Sequence, residues 1–525
     1  MKIFINIIMF LAVTVGLHSC KNADVKSPTI TAATQNDKPA DYYKEQHRNQ
    51  FHFSPEVNWM NDPNGMVYLD GEYHLFYQYY PDSTVWGPMH WAHAVSSDMI
   101  HWKHLPIALY PDTLGYIFSG SAVIDKNNTA GFGKDAMVAM FTYHDIHGER
   151  SGSSITFQYQ GIAYSTDKGR TFTKYEGNPV IPNPGIKDFR DPKIIWDEAN
   201  SQWVMVLAAY DKAMFYTSKD LKAWELASEF GIVGDTRLWE CPDLFPIKVK
   251  GSEETKWVLI TSIQKEAPNG GTATGYFVGD WDGKQFIGNT KNQKWLDYGT
   301  DNYAAVTWAD APNPTDEKSL IGWMSNWQYA QVVPTEKWRS AMTLPRTITL
   351  HKENGEYHLR SLPVVQSSKI EKTKYGIQPK KITESTVLSK EGIIPLQKLD
   401  LSLVPASDAV VSIRLSNAKE EYTVVGYNAV SKNYFIDRTH SGKVDFQKDF
   451  ADKIHYAPVD YNTPSINMTI FIDHAAIELF ADYGRTAMTD IVFPTEPYDK
   501  VEINSSGGGV KILNGSLTEL GNIWR

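Results

Sequence analysis

Short, strongly apolar runs recur through the first part of the chain. They are Tyr73-His74-Leu75-Phe76-Tyr77-Gln78, Trp203-Val204-Met205-Val206-Leu207-Ala208, Lys256-Trp257-Val258-Leu259-Ile260 and Leu320-Ile321-Gly322-Trp323-Met324. Each has the length and the aromatic or β-branched content of a buried strand. Later segments alternate instead: Ala409-Val410-Val411-Ser412-Ile413-Arg414-Leu415 and Met468-Thr469-Ile470-Phe471-Ile472 place apolar residues at every second position. That period predicts half-buried antiparallel strands. Long amphipathic helical patterns are absent from the sequence, which argues against an α/β barrel and for an all-β chain.

A turn pattern repeats between the early runs. Ser97-Asp98-Met99-Ile100-His101-Trp102, Thr166-Asp167-Lys168-Gly169-Arg170-Thr171-Phe172 and Ser218-Lys219-Asp220-Leu221-Lys222-Ala223-Trp224 share one plan, and Asp282-Gly283-Lys284-Gln285-Phe286 is a shorter version. Each sets an Asp in a polar turn ahead of an aromatic that can cap an outer strand. The interval of roughly 50–70 residues is that of a four-stranded propeller blade, and the region holds about five such units. A large irregular β-sandwich is the alternative that the repeat leaves open.

Of the 16 tryptophans, 15 lie between Trp59 and Trp338, with Trp524 alone beyond, so the chain changes character after the repeats. Lys369, Lys372, Lys374, Lys380 and Lys381 mark a charged connection, and the boundary is expected near 365–385. The expected organisation is a propeller over 47–365 and a sandwich over 380–525. Ahead of them, Met1-Lys2 and the apolar run Ile3–Gly16 end in Leu17-His18-Ser19-Cys20, which resembles a bacterial lipoprotein signal over 1–20 with Cys20 as the lipidated residue. Residues 21–46, polar with Pro28 and Pro39, read as a tether. The expectation is an exported protein held on a membrane, the outer membrane of a Gram-negative cell.

Composition narrows the function. The 525 residues carry 51 Lys+Arg against 61 Asp+Glu, a net charge of −10, which excludes a broad basic face for nucleic acid. Two cysteines exclude a disulfide framework. With 16 Trp, 28 Tyr and 22 Phe, the chain has rings to spare for stacking on the apolar face of a ligand.

Phosphate-loop, zinc-helix and Gly-x-Ser-x-Gly motifs are missing. His90-Trp91-Ala92-His93 with His101 and His104 imitates a metal site, but strand alternation turns His90 and His93 to opposite faces, so structural roles are expected. What remains is acidic: Asn61-Asp62-Pro63-Asn64-Gly65, Arg190-Asp191-Pro192 and Trp239-Glu240-Cys241-Pro242-Asp243. Each sets a carboxylate in a turn or strand entrance. Trp59-Met60 precede the first, and Glu240 stands between an indole and a small sulfur residue, settings that raise a carboxyl pKa toward what a general acid requires. Blade-sized spacing puts the three on different blades, whose inner strands converge on the propeller axis.

Taken together, these motifs resemble glycoside hydrolase family 32, the invertase, inulinase and levanase family. The likeness adds Trp86-Gly87-Pro88-Met89-His90-Trp91-Ala92-His93-Ala94-Val95-Ser96, Phe118-Ser119-Gly120-Ser121-Ala122-Val123, Asp188-Phe189-Arg190-Asp191-Pro192-Lys193 and Gly322-Trp323-Met324-Ser325-Asn326-Trp327-Gln328-Tyr329-Ala330, and continues weakly through Phe435–Thr439 and Ile477–Phe480. It is nearest to bacterial levanases and exo-inulinases. The resemblance implies a five-bladed β-propeller followed by a β-sandwich, and a retaining glycosidase acting without metal or organic cofactor. It implies Asp62 as nucleophile, Glu240 as acid/base and Asp191 as transition-state stabiliser, with Asn61, Gln78, Trp86, Ser119, Arg190 and Trp327 lining a terminal-fructose pocket. Retention further implies Asp62 and Glu240 carboxyls about 5–5.5 Å apart, where inversion needs roughly 6.5–9.5 Å. Nearby anionic Asp62 and Asp191 are expected to help keep Glu240 protonated. The implied substrates are levan, inulin and sucrose, with fructose released from chain ends. Internal cleavage to fructo-oligosaccharides, transfer of fructose to another sugar, an inverting arabinan-type propeller and a non-catalytic fructan-binding surface lipoprotein are the other readings. The second domain is expected to cover one side of the propeller. The linkage preference and the oligomeric state stay open.

Overall fold

The computed structural model describes residues 41–152, 154–313, 315–390, 395–461 and 463–524. Cys20, with its expected lipid anchor, and most of the expected tether lie outside them.

The described residues form an almost entirely β structure of seven sheets. Five are successive four-stranded antiparallel meanders, some with an added short strand. Their innermost strands are β1 (Asn58–Leu69), β2 (Tyr116–Asp125), β3 (Phe189–Asp197), β4 (Trp239–Lys248) and β5 (Tyr303–Thr307). Each inner strand contacts the next, and β5 returns to β1, so the ring closes. A short strand, Trp338–Arg339, pairs with the entrance of β1 and ties the last blade to the first.

The apolar runs prominent in the sequence are the second strands of the first, third, fourth and fifth blades. A second strand has a neighbour on each side and blades on both faces, so it becomes nearly continuous in apolar residues. The repeated Asp turns join the third and fourth strands of the first four blades. Asp98 Oδ1 accepts from the backbone N–H of Ile100 (3.0 Å) and His101 (2.9 Å), and Asp220 Oδ1 from Lys222 (2.9 Å) and Ala223 (2.8 Å). Asp167 and Asp282 close their turns in the same way. A short side chain satisfying its own following backbone is why Asp recurs there. The fifth blade turns instead on Asn354-Gly355, which is why the repeat fades.

Two further sheets, built from Glu371–Ile377 to Val510–Leu520, stack as a sandwich around Leu399, Leu401, Val411, Ile413, Ile470 and Leu479. Its first strand, Glu371–Ile377, lies inside the segment read as a charged connection. The lysines are explained by its place at a sheet edge, where charge blocks further pairing. The folded body also begins before the expected end of the tether. Tyr43 is buried, stacks on Trp524 with ring centroids 3.9 Å apart, and donates to the Ser54 carbonyl at 2.7 Å.

Propeller and sandwich meet through buried charges. Arg346 of the fifth blade reaches Asp297 (2.8 Å) and Glu478 (3.3 Å), and Arg438 of the sandwich reaches Asp301 (2.7 Å). Within the sandwich His455 pairs with Asp490 at 2.7 Å, and Asp490 Oδ1 accepts from the Thr300 N–H of the propeller at 3.0 Å. His52, on the segment entering the first blade, lies 2.8 Å from Asp473 and 3.4 Å from Glu478. Arg438 and Glu478 come from the two weak motifs of the second domain. Gly299 passes so close to the strand at Thr489 that a Cβ there would stand 2.1 Å from its carbonyl oxygen.

Burial alone would pull His52 down, but Asp473 and Glu478 overcome it and hold its pKa at about 9 against 6.5. A raised folded pKa gives stability that is complete below pH 6.5 and is lost as pH rises through 9, on the order of 3 kcal/mol. Thermal denaturation followed from pH 6 to pH 10 is expected to show that decline, and His52→Gln to flatten it while lowering stability at pH 6.

Candidate active site

At the entrance of every inner strand the pairing register slips. The irregularities fall between Met60 and Pro63, Ile117 and Gly120, Arg190 and Lys193, Glu240 and Asp243, and Tyr303 and Val306. A bulge leaves a residue out of the ladder and re-aims its side chain. Asp191, Cys241 and Ala304 have positive φ there (65°, 44° and 52°), a conformation L-residues adopt only when their surroundings impose it. In the second blade the device depends on Gly120, because a Cβ at that position would stand 2.0 Å from the Met140 carbonyl oxygen. The result is a ring of side chains turned toward the axis at one end of the propeller.

Asp62, Asp191 and Glu240 are brought together in that ring, with Cys241 as the common neighbour. The Cys241 thiol lies 3.4 Å from Asp62 Oδ2 and 3.6 Å from Asp191 Oδ2, and its backbone N–H donates to Asp191 Oδ2 at 3.0 Å. Ser119 Oγ donates to Asp62 Oδ2 at 2.6 Å, while Asp62 Oδ1 is left without a hydrogen-bond partner among the described residues. Arg190 donates through Nη2 (2.9 Å) and Nε (3.3 Å) to Glu240 Oε1, and its Nη1 is anchored on Asp188 Oδ1 at 2.6 Å. The Tyr303 hydroxyl donates to Glu240 Oε2.

The other expected residues take distinct places. Asn61 Oδ1 accepts from Trp59 Nε1 at 2.8 Å. Trp327 stacks on Trp59 at 5.8 Å and Trp86 sets its edge against Phe118 at 6.0 Å, so aromatic walls flank the carboxylates. Gln78 is buried, and its amide N–H groups go to Asn64 Oδ1 (2.7 Å) and the Ile117 carbonyl (3.0 Å), so it braces β1 against β2. The histidines pack within the first blade. His93 lies against Phe76 and 3.0 Å from His74, and His90 turns back to the Pro88 carbonyl. Among the described residues no group of His, Cys, Asp or Glu is arranged to hold a metal ion.

Sequence reasoning missed Tyr303, the bridging role of the Cys241 thiol and the anchoring of Arg190 by Asp188. Cys241 and Asp188 stood inside quoted motifs, yet only geometry shows what they touch. Tyr303 opens a strand of five residues, too short to stand out by pattern.

Below the carboxylates the charges are neutralised. Lys193 Nζ reaches Asp243 Oδ2 (3.0 Å) and the Thr307 carbonyl (2.6 Å), tying β3, β4 and β5 together. Asp62 and Asp191 are nonetheless held above the usual carboxylate range. Burial raises Asp62, and Glu240 adds to the rise against the opposing hydrogen bonds from Ser119, Asn61 and Cys241. Burial also raises Asp191, to about 7; Arg190 opposes the shift, and Glu240 and Asp62 add to it. Burial and the same three carboxylates push the Cys241 thiol well above its usual range, so it stays a neutral donor.

Known proteins share both the sequence and the shape. The family model for the glycosyl hydrolases family 32 N-terminal domain matches residues 52–363, and that for the family 32 C terminal matches 365–519. A levanase of Bacillus subtilis (strain 168) is 44% identical over 496 residues, covering 92% of this chain and 72% of that protein. An extracellular exo-inulinase of Aspergillus awamori is 37% identical over 520 residues, covering 92% and 96%. Its kind is also matched in shape: an exo-inulinase crystal structure from Aspergillus awamori superposes with a TM-score of 0.84 at 36% identity, over 92% of this chain and all of that one. A fructofuranosidase from Schwanniomyces occidentalis, solved with fructose, gives 0.82 at 31% identity, over 93% and 100%. With both domain models matched in order, the chain belongs to glycosyl hydrolase family 32.

Proposed function

We propose that the protein is a retaining β-fructosidase that releases fructose from the ends of levan or inulin chains, with sucrose as a smaller substrate. The observation that carries this reading is the meeting of Asp62, Asp191 and Glu240 around Cys241 in a family 32 chain. The levanase and exo-inulinase relatives support fructan as the substrate class, and the exo-inulinase likeness over nearly its whole length favours chain ends. An inert binding protein and an internally cutting enzyme are not favoured. Export is in keeping with the extracellular relatives, and the Leu17-His18-Ser19-Cys20 run supports anchoring through lipid on Cys20.

In a fructoside the bond from C2 to the leaving oxygen breaks as C2 takes on oxocarbenium character. Glu240 donates a proton to that oxygen, and Asp62 attacks C2 from the opposite face to form a fructosyl-enzyme. Ser119 and Cys241 both lie on Asp62 Oδ2, which orients the carboxylate for attack. Glu240 then removes a proton from water, which adds to C2 and releases Asp62. Asp191, fixed by the Cys241 N–H, accepts hydrogen bonds from the sugar hydroxyls as positive charge develops. Asp62 and Asp191 are buried close together and cannot both ionise cheaply, so this pair retains a proton near neutral pH. Tyr303 and Arg190 fix the position of the Glu240 carboxyl by donating to its two oxygens.

Chromatography of early products from levan and inulin is expected to show fructose alone; a ladder of oligomers would redirect the reading to internal cleavage. Nuclear magnetic resonance of the first product is expected to show the β-anomer before mutarotation, as retention demands. Glu240→Ala and Asp62→Asn are each expected to lower kcat by about a thousandfold or more, in the range for loss of a general acid or a nucleophile.

The burial of Asp191 has its own consequence. A carboxyl raised from 3.8 to about 7 makes the fold progressively less stable as pH climbs through that window. Asp191→Asn does not titrate. Its stability relative to the parent is therefore expected to improve by a few kcal/mol between pH 4 and pH 7 and then level off, measured by denaturant unfolding, while activity is lost.

A further inference from the structure

Arg190 is gripped on its outer side by a chain of side chains that leads away from the carboxylates. Gln158 Oε1 accepts from the Phe189 backbone N–H at 2.9 Å and from Arg190 Nη1 at 3.3 Å. Two donors on that oxygen fix the amide orientation, so the Gln158 NH2 group faces the other way, 3.2 Å from His144 Nδ1. An NH2 group can only donate, which makes Nδ1 the acceptor and puts the ring proton on Nε2. From there it is donated to Glu149 Oε2 at 3.1 Å. Glu149 belongs to the short helix α1 (Ile146–Ser151), and its side chain is 41% exposed while that of His144 is 3% exposed. The imidazole also lies flat on Phe118, centroids 4.2 Å apart, directly before the Ser119 that holds Asp62.

We infer that His144 is a positioning residue for the hydrolysis, working as a neutral acceptor that locks Gln158 so that its carbonyl steers Arg190 onto Glu240 and the terminal sugar. The inference rests on the reading of the site as a β-fructosidase. A protonated ring would present N–H to the Gln158 NH2 group, two donors face to face. Gln158 would have to turn, and turning brings its NH2 group against Arg190 and the Phe189 N–H. The lock therefore opens on protonation. The groups that face the ring are Glu149 from α1 and the adjoining Asp145, which favour the proton, and Arg190 from β3, which opposes it; Tyr116 from β2 lies beside it. Burial and Arg190 together outweigh the acids and keep the ring neutral near pH 7.

The test compares His144→Leu, His144→Asn and Glu149→Gln by steady-state hydrolysis of levan between pH 4 and pH 8. His144→Leu removes the acceptor and is expected to raise KM about tenfold, the equivalent of one hydrogen bond, with a smaller fall in kcat. His144→Asn sets an amide oxygen near the place of Nδ1 and cannot titrate. It is expected to restore KM and to lose the rise in KM that the parent shows on acidification. Glu149→Gln, a half-exposed site safe for folding, is expected to shift that rise to lower pH. Parent-like KM in His144→Leu, or a parent-like pH curve in His144→Asn or Glu149→Gln, overturns the inference. So does a crystal structure of His144→Leu in which Arg190 keeps its contacts with Gln158 and Glu240. That structural readout judges His144 without reference to substrate, whereas an absence of fructose release by the parent enzyme strikes the functional reading itself.

Discussion

Like charges repel most strongly where water is scarce, and this site sets two buried carboxylates, Asp62 and Asp191, beside a third that is partly buried, Glu240. Left to themselves such groups would turn outward or push their strands apart. The structure holds them with donors that cannot leave: the Cys241 backbone N–H on Asp191, the Ser119 hydroxyl and the Cys241 thiol on Asp62, Arg190 and Tyr303 on Glu240. Every one of these donors lies on an inner strand of another blade or at a bulge beside the acid it serves. The register slips at all five strand entrances are therefore the means by which a regular fold presents irregular chemistry. The positive φ at Asp191 and Cys241 is strain retained because the ring cannot relax one strand without moving its neighbours.

That rigidity has to come from below and from the side. Lys193 with Asp243 and Thr307 pins three inner strands under the carboxylates. The sandwich contributes through the fifth blade, where Arg346, Asp297, Asp301 and Arg438 join it to the 297–301 loop that leads into β5 and so to Tyr303. Buried ion pairs of this kind add little net stability over a well-packed apolar contact, but they tolerate only one geometry. Their contribution here is registration: they fix where β5 begins, and with it the hydroxyl that touches Glu240. The sandwich is thereby tied, through the 297–301 loop, to the strand that carries Tyr303.

How far the sequence could be read follows from which forces are local. The second strands were visible because burial on both faces forces a continuous apolar run, and the Asp turns were visible because the side chain and the N–H groups it satisfies are neighbours in the chain. Asp62, Asp191 and Glu240 were singled out for the same reason, each sitting in a turn-forming motif. Their meeting was inferred from blade spacing and is set by ring closure, which no local segment encodes. Lys372 and Lys374 misled because charge at a sheet edge and charge in a linker look alike along the chain. Tyr303, the Cys241 thiol and the Gln158–His144 pair escaped entirely, since each acts through an atom contributed by a distant strand.

Donor–acceptor logic extends the site further than charge does. A carboxylate accepts from any direction, so the acids alone leave Arg190 several ways to sit. Gln158 removes that freedom because an amide has a carbonyl end and an NH2 end, and the Phe189 N–H has already chosen which is which. One backbone N–H therefore sets the amide, the amide sets the tautomer of His144, and the imidazole sets the direction in which Glu149 is held. The chain runs from a strand entrance inside the ring to a half-exposed helix at its rim. A reaction that depends on where one guanidinium points is in this way made dependent on a proton it never transfers.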